Sequence, residues 1–428
     1  VFWSTWDLNL KVRLIGETIF HTFYWMFFPF MALYFSDAFG KDLTGILLMF
    51  PPLLGILASL YGGQLSDRVG RRPAMLIGAA TECLMFALFA LSWSPWVDYA
   101  AFIGLNIASS IYWPASSAMV ADLTREEDRR EVYATFYTAM NIGVVLGPVL
   151  GSFFFFQHRP QLLLVCFLVS FAFTLTLYLV IKETLPNKGR SKHKAHGLKE
   201  QWRSYTVIFR DKVFALYILA GILVAVTFLQ MDLYMGVYLK EYVPLQNLIS
   251  WGDGSISVGG TQAFGWMMSL NGLMVVLFTL AVTRLCAAWS DRRSLIVSSV
   301  LSGLGLFAMS LTVNVWLLFA CMVLFTIGEL IRTPVTQSFV SKYAPEDRRG
   351  QYMGASTLQF SIGRFIAPLT IALSEWFAPI GVFGIILMFA LVAALLYHRM
   401  FILLPAAMLK DTGAAQQQDS AQRQEDII

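Results

Sequence analysis

The sequence predicts an all-α polytopic membrane protein: twelve transmembrane helices in two pseudo-symmetric six-helix bundles. Three observations carry this. The 428 residues are 57% hydrophobic and only 14% charged, with 35 Phe and a mean hydropathy of +0.63, whereas a soluble domain carries about a quarter charged residues. Apolar runs of the roughly 20 residues that cross a bilayer recur along the chain. The second half then repeats motifs of the first at offsets of 219 to 224 residues. Such a composition excludes a disulfide-stapled secreted scaffold, a nucleic-acid binder and an ordinary cytosolic enzyme, and it is too apolar for disorder.

In order, the spans lie near 14–36, 44–62, 73–93, 97–120, 133–156 and 161–181, then near 213–239, 263–284, 294–312, 315–338, 351–374 and 379–404. The first begins near Ile15 without the small-residue cleavage site of a secretory leader, so it is expected to stay as a span. A polar break, Lys182–Lys212, separates the two sets. The expected organisation is an N-terminal bundle (1–181), a cytoplasmic basic linker (182–212), a C-terminal bundle (213–408) and a disordered cytoplasmic tail (409–428). The loop Glu241–Gln262 is rich in Gly and Ser and longer than its counterparts; it shields a mouth or only connects.

Orientation follows from the basic residues. With both termini cytoplasmic, the inner segments hold 27 of the 31 Lys and Arg, including Lys11 and Arg13 ahead of span 1. The outer side keeps Lys41, Arg159 and Lys240, and Arg364 falls inside span 11. The expected location is a plasma (inner) membrane, multi-pass. Cys83, Cys166, Cys286 and Cys321 lie singly, without the spacing of a disulfide framework or metal site. No cofactor and no catalytic constellation is visible.

Between spans 2 and 3 the chain reads Gly63-Gln-Leu-Ser-Asp67-Arg68-Val-Gly70-Arg71-Arg72-Pro73. Glycine suits a tight turn and Pro73 the first turn of a helix; lipid headgroups explain the arginines, but not the acid beside them. Ser66-Asp67-Arg68 recurs as Ser290-Asp291-Arg292, Pro114 as Pro334, Glu127-Asp-Arg-Arg130 as Glu346-Asp-Arg-Arg349, and Ile142-Gly143 with Pro148 as Ile362-Gly363 with Pro368. A duplication of this kind implies two bundles with a midplane site between them and function by alternating access. Span 5 holds Gly143, Gly147, Pro148 and Gly151, small residues four apart that let helices approach.

The loop string resembles the signature of the major facilitator superfamily, and the span 5 pattern resembles the antiporter motif of its twelve-span drug:proton antiporters, with Ser152 in place of a final Gly. By that resemblance Asp67, Arg71 and Asp122 form an inner gate with Gly63, Arg68, Gly70 and Arg72 in its motif, Asp67 lying near the start of span 11. Trp6-Asp-Leu-Asn-Leu-Lys-Val-Arg-Leu14, Asp232 and Gly328-Glu329 ahead of Thr333-Pro334 are similar to proton-driven multidrug members. The resemblance implies proton coupling or cation recognition at Asp232 and Glu329. It also shows departures: Phe136 stands where such members carry an acid, and residues 97–121 contain no Arg.

An ionisable group near the bilayer centre costs about 2.5–3.5 kcal/mol on insertion scales, so it needs a partner, a cavity or a role. Glu329 is the leading proton-coupling candidate, with Asp232, Glu17 and Arg364 beside it; a structural pair of Glu329 with Arg332 or Arg364 is the alternative. Glu17, despite its place among the candidates, and Glu82 read first as structural or interfacial, and His21 as a packing hydrogen-bonder. Tyr24, Trp25, Trp113, Tyr137, Tyr234 and Tyr238, with Phe28 and Trp266, are candidate cavity-lining residues for lipophilic cations, and Met26, Met140, Met231 and Met235 an adaptable wall.

The expected function is efflux of hydrophobic, often cationic drugs in exchange for protons, by a monomer whose partners are its substrates, protons and membrane lipids, not nucleic acid. The alternatives are a proton-coupled symporter or an exporter of a sugar, lipid or metabolite, and a non-transporting membrane sensor.

Overall fold

The computed structural model describes residues 6–125, 128–184, 211–251, 254–345 and 348–404. Most of the expected linker, the expected tail, and Glu127, Glu346 and Asp347 of the repeat lie outside the described residues. The chain divides into two compact units: Val1–Lys192, Asp232–Gly272 and Pro368–Glu375 form the first, and His193–Met231, Leu273–Ala367 and Trp376–Ile428 the second.

In the first unit the helices are α1 (Leu8–Phe27), α2 (Met31–Phe39), α3 (Lys41–Leu47), α4 (Phe50–Val69), α5 (Arg71–Leu91), α6 (Pro95–Leu123), α7 (Arg129–Phe154) and α8 (Arg159–Val180). Their ends follow local chemistry. Asp7 caps α1 by accepting the Asn9 N–H at 2.7 Å, and Ser94 caps α6 ahead of Pro95. Gly70 turns the chain from α4 into α5 at φ +112°, which favours glycine. Pro29, in the 3₁₀ turn Phe28–Phe30, separates α1 from α2 within one pass.

α8 shows how a membrane helix divides its faces. Leu162, Leu163, Cys166, Phe173 and Leu177 are buried, whereas Leu164, Leu168, Phe171, Leu175 and Leu179 form an exposed apolar stripe at helical spacing. A surface of that kind is stable only against lipid. The buried face joins a core with Met75, Ala79, Tyr112 and Met119, and a second core collects Trp6, Leu10, Leu14 and Phe136.

The remaining elements are α9 (Lys212–Leu229), α10 (Tyr234–Tyr242), strands β1 (Gln246–Trp251) and β2 (Gly254–Val258), α11 (Gly260–Leu285), α12 (Asp291–Met309), α13 (Val315–Tyr343), α14 (Arg349–Ser356), α15 (Leu358–Ile366), α16 (Leu369–Trp376) and α17 (Pro379–Leu403). In the second unit, Phe214, Tyr217, Leu295, Phe339, Tyr397 and Met400 are among the core residues. Asp211 ties one end of it together. One oxygen accepts the N–H groups of Val213 and Phe214, and the other the hydroxyls of Tyr343 and Tyr352. Burial and this acid together push the Tyr343 phenol upward.

Among the described residues, nine helices are long and apolar enough to cross a membrane. The pass of α1–α2, the long α6 and the broken pass α14–α16 complete the expected twelve. Helix starts recur at a fixed interval: Arg71 and Asp291, Pro95 and Val315, Arg129 and Arg349, Arg159 and Pro379 are each 220 residues apart. The Ser-Asp-Arg match, at 224, is therefore one turn out of register. Ser66 and Asp67 close α4, whereas Ser290 caps α12 and Asp291 opens it.

The first, second, seventh and eleventh passes, expected to be continuous, are each broken. The seventh interrupts between Leu229 and Tyr234, where Gln230 N–H bonds back to Thr227 O and leaves Val226 O free of its helical donor. In the eleventh, Ile371 N–H bonds Pro368 O in place of Ala367 O. The Gln230 amide, fully buried, donates to both carbonyls, at 2.9 Å to Val226 and 3.3 Å to Ala367. Backbone groups in lipid must be satisfied from within the protein. The long loop 241–262 is also more ordered than a linker, since β1 and β2 pair as an antiparallel hairpin.

Candidate functional site

One face of α1 carries Arg13, Glu17, His21 and Trp25, each one turn from the last. Glu17 is buried, 2% exposed. Its Oε1 accepts from Arg13 Nε at 3.0 Å, the Tyr112 hydroxyl at 2.7 Å and the Ser116 hydroxyl at 2.8 Å. Arg13, 1% exposed, also donates to Ser116 Oγ. Glu17 Oε2 and Arg13 Nη1 are buried without a hydrogen bond. Glu82, buried on α5, faces the charge of Glu17 and the Tyr112 phenol. Glu17 is thus paired with a guanidinium, and a second buried carboxyl, Glu82, senses its charge in the same water-poor region.

Arg13 is thus not the flanking charge expected ahead of span 1. It lies inside the pass, with its guanidinium 5.3 Å above the Phe136 ring, the position where an acid is absent. The 13/17 spacing of an i,i+4 ion pair was the available signal.

Higher on α1, Trp25 donates its indole N–H to His21 Nε2 at 3.2 Å. Because indole can only donate, Nε2 must accept, and Nδ1 carries the hydrogen given to Met140 O at 3.0 Å. Tyr24 stacks on Phe28 at 4.8 Å. The span 5 glycines bring α7 onto this helix. A Cβ at Gly143 would stand 2.8 Å from Thr22 N, one at Gly147 2.5 Å from Trp25 Cβ, and one at Gly151 would strike Met26 O. Pro148 lies inside α7, and its carbonyl abuts Gly265 of α11. Trp113 packs edge-on to Tyr112 at 5.8 Å, and Tyr137 is largely exposed.

At one end of the first unit, Arg71 meets Asp67 at 2.5 Å, Asp122 at 3.2 Å and Ser66 Oγ at 3.1 Å. Glu183 was missed by sequence reasoning, which placed it in the polar break. Its carboxylate accepts the backbone N–H groups of Arg71 and Arg72, at 3.0 and 3.1 Å, and so caps α5. Arg72 donates to Tyr178 O at 2.7 Å, while Arg68 is exposed. The turn glycine is Gly70; Gly63 lies inside α4, where an added Cβ would meet nothing.

The opposite end of the same unit carries a second ionic set. Asp37 pairs with Lys240, and Lys41 with Glu241 at 2.5 Å, around a cavity of about 290 Å³ bordered by Leu33, Ser36 and Val237. Nearby, Arg159 pairs with the buried Asp98 and lies 3.8 Å over the Tyr34 ring. Sequence reading used these bases only as orientation markers. Tyr234 and Tyr238 are buried in α10.

The other intramembrane charges have surroundings of their own. Asp232 sits half-buried in the break ahead of α10. Glu329 is half-buried on α13, next to Gly328, which packs on Ser298 and Ser302. Arg332 donates to the Tyr397 hydroxyl at 2.9 Å. Arg364 is exposed and lies 4.7 Å over Phe360 of its own helix.

A family model described as Major Facilitator Superfamily matches residues 14–260 and 254–423. The chain is 39% identical over 409 residues to a Na(+), Li(+), K(+)/H(+) antiporter of Planococcus maritimus, covering 92% of this chain and 96% of that one. It is 24% identical over 350 residues to multidrug resistance protein MdtH of Edwardsiella ictaluri, covering 79% and 80%. In fold it is similar to a POT family transporter solved with 5-aminolevulinic acid, with a TM-score of 0.74 at 18% identity, over 90% of this chain and 94% of the other. A match across nearly the whole chain, on a fold of apolar helical passes recurring every 220 residues, leads to one conclusion: the chain belongs to the Major Facilitator Superfamily and is a multi-pass membrane transporter, not an enzyme.

Proposed function

We propose that this transporter exchanges protons for cations, exporting the cation as protons enter. The observation that carries the reading is the buried Arg13–Glu17 pair with a second buried carboxyl, Glu82, that senses the charge of Glu17. Such a cluster is neutral only with one proton on it, and an uncompensated buried charge costs several kcal/mol, roughly 3–5 when a partner is removed. A cation in place of that proton restores the same balance. Proton and cation are then alternatives, which is the rule an antiporter needs. Glu329 and Asp232 are the further acids proposed to meet the cation along its route, with Arg364 setting their charge balance. The Arg71–Asp67–Asp122 cluster is the proposed cytoplasmic gate of a monomer in the plasma membrane with both termini inside.

The cation read first is an alkali ion, supported by the relative at 39% identity that bears that name. A hydrophobic cationic drug is the second reading, favoured by the aromatic face of Tyr24, Trp25 and Phe28 on α1 and by the MdtH relatives. Flat rings hold lipophilic cations through their faces.

The test uses proteoliposomes with an acidic lumen and a pH-sensitive dye. Na⁺, Li⁺, K⁺ or tetraphenylphosphonium is added outside. Proton release on cation addition is expected for the intact protein, and its loss in Glu82→Gln and Glu17→Gln. Release that persists in both variants, or that no cation elicits, overturns the reading.

A further inference from the structure

The hairpin β1–β2 stands off the helices that hold it. Val258, at its base, is buried, while Ile249, Ile256 and the polar residues beyond are exposed. Its two faces differ in chemistry. Ile249 pairs with Ile256 on the face of Val258, and Asn247, Ser250, Ser255 and Ser257 occupy the other, with Ser257 Oγ donating to Asn247 Oδ1 at 2.7 Å. Side chains alternate along a strand, so Ile249 would fall on the polar face but for the register shift between Asn247 and Ile249. That irregularity gathers the apolar residues on one side. From Pro244 to Gly260 the only charged residue is Asp253.

A lone two-stranded hairpin is marginal in water, and an exposed isoleucine pair makes it more so. Its position supplies what it lacks. It leaves the end of the first unit where Asp37 pairs with Lys240 and Phe39 packs on Trp96 at 4.6 Å. Trp93, Trp96 and Tyr242 are exposed at that end. Exposed Trp and Tyr on a membrane protein mark the level of the lipid headgroups. Two membrane-crossing helices grip the hairpin, with three residues between Tyr242 and β1 and one between β2 and Gly260.

We infer that the hairpin is a membrane-docking element: it lies in the phospholipid headgroup layer with Ile249 and Ile256 turned to the acyl chains and the serine row turned to water. It thereby holds the end of α10, the segment that follows the break at Gln230–Leu233, at a fixed depth.

The test places a nitroxide on single cysteines at Ile249→Cys, Ile256→Cys, Ser250→Cys and Ser257→Cys in the full-length protein. Cys286 and Cys321 are replaced by Ser, while buried Cys83 and Cys166 stay in place to preserve the fold. In vesicles of phosphatidylethanolamine and phosphatidylglycerol, collision with oxygen is compared with collision with a water-soluble nickel chelate. A severalfold higher oxygen-to-nickel ratio at 249 and 256 than at 250 and 257 is expected. Equal ratios at all four sites, as for a hairpin in water, overturn the inference. So does spin–spin broadening that disappears on dilution with unlabelled protein, which would make a second copy the occupant.

Discussion

Trp25 holds His21 in a single tautomer through the 3.2 Å bond from its indole N–H to Nε2. Trp25→Phe keeps the ring and removes the donor. A hydrogen bond of this kind is worth about 0.5–1.5 kcal/mol, so the apparent affinity for the transported cation is expected to fall roughly two- to tenfold, with protein abundance unchanged. Transport kinetics across a cation series measures it, and identical curves would reduce the pair to packing.

Arg13→Gln leaves Glu17 buried without its counter-charge. The expected loss is about 3–5 kcal/mol, read as a lower thermal midpoint in detergent. Glu17→Gln in the same molecule should recover much of it. A double variant no more stable than Arg13→Gln alone would show that the two residues are not energetically coupled.

The glycines of α7 and α4 should respond in opposite ways. Gly147→Leu drives a side chain into Trp25 and is expected to cost about 1–3 kcal/mol or more through overpacking. Gly63→Ala meets nothing and should gain up to about 1 kcal/mol of helix propensity. Thermal unfolding of the two variants side by side decides it.

Glu183→Ala removes the acceptor for the N–H groups of Arg71 and Arg72. Loss of a cap costs about 0.5–2 kcal/mol, and hydrogen exchange should accelerate at the start of α5. Unchanged protection there would assign the cap to solvent instead.

The ion pairs Asp37–Lys240 and Lys41–Glu241 are partly exposed, so each is worth about 0.2–1 kcal/mol at most. Lys240→Gln with Lys41→Gln should barely move the thermal midpoint. It should raise the labelling rate of a cysteine placed at Val237, on the cavity wall. An unchanged rate would mean that the two pairs do not hold this end closed.

Hydropathy located the passes because lipid demands apolar length, and the repeat was visible because Pro114 and Pro334 lie inside corresponding helices. Sequence could not separate Arg13 from a flanking base, since burial depends on Tyr112 and Ser116 arriving from another helix. Glu183 was hidden for the same reason: its role exists only where the end of α8 meets the start of α5. Pro368 was a local signal for a break in the eleventh pass, yet the span was expected to be continuous over 351–374. The break at Gln230–Leu233 holds neither Gly nor Pro, so nothing local marked it.

That second break has a mechanical meaning. A single side-chain amide, Gln230, donates to a carbonyl beside the break in pass seven and to one beside the break in pass eleven. Each interruption presents a backbone carbonyl to the same buried amide. One residue thus touches two helix interruptions that lie 137 positions apart in the chain, and a substitution at Gln230 removes a hydrogen bond from both at once.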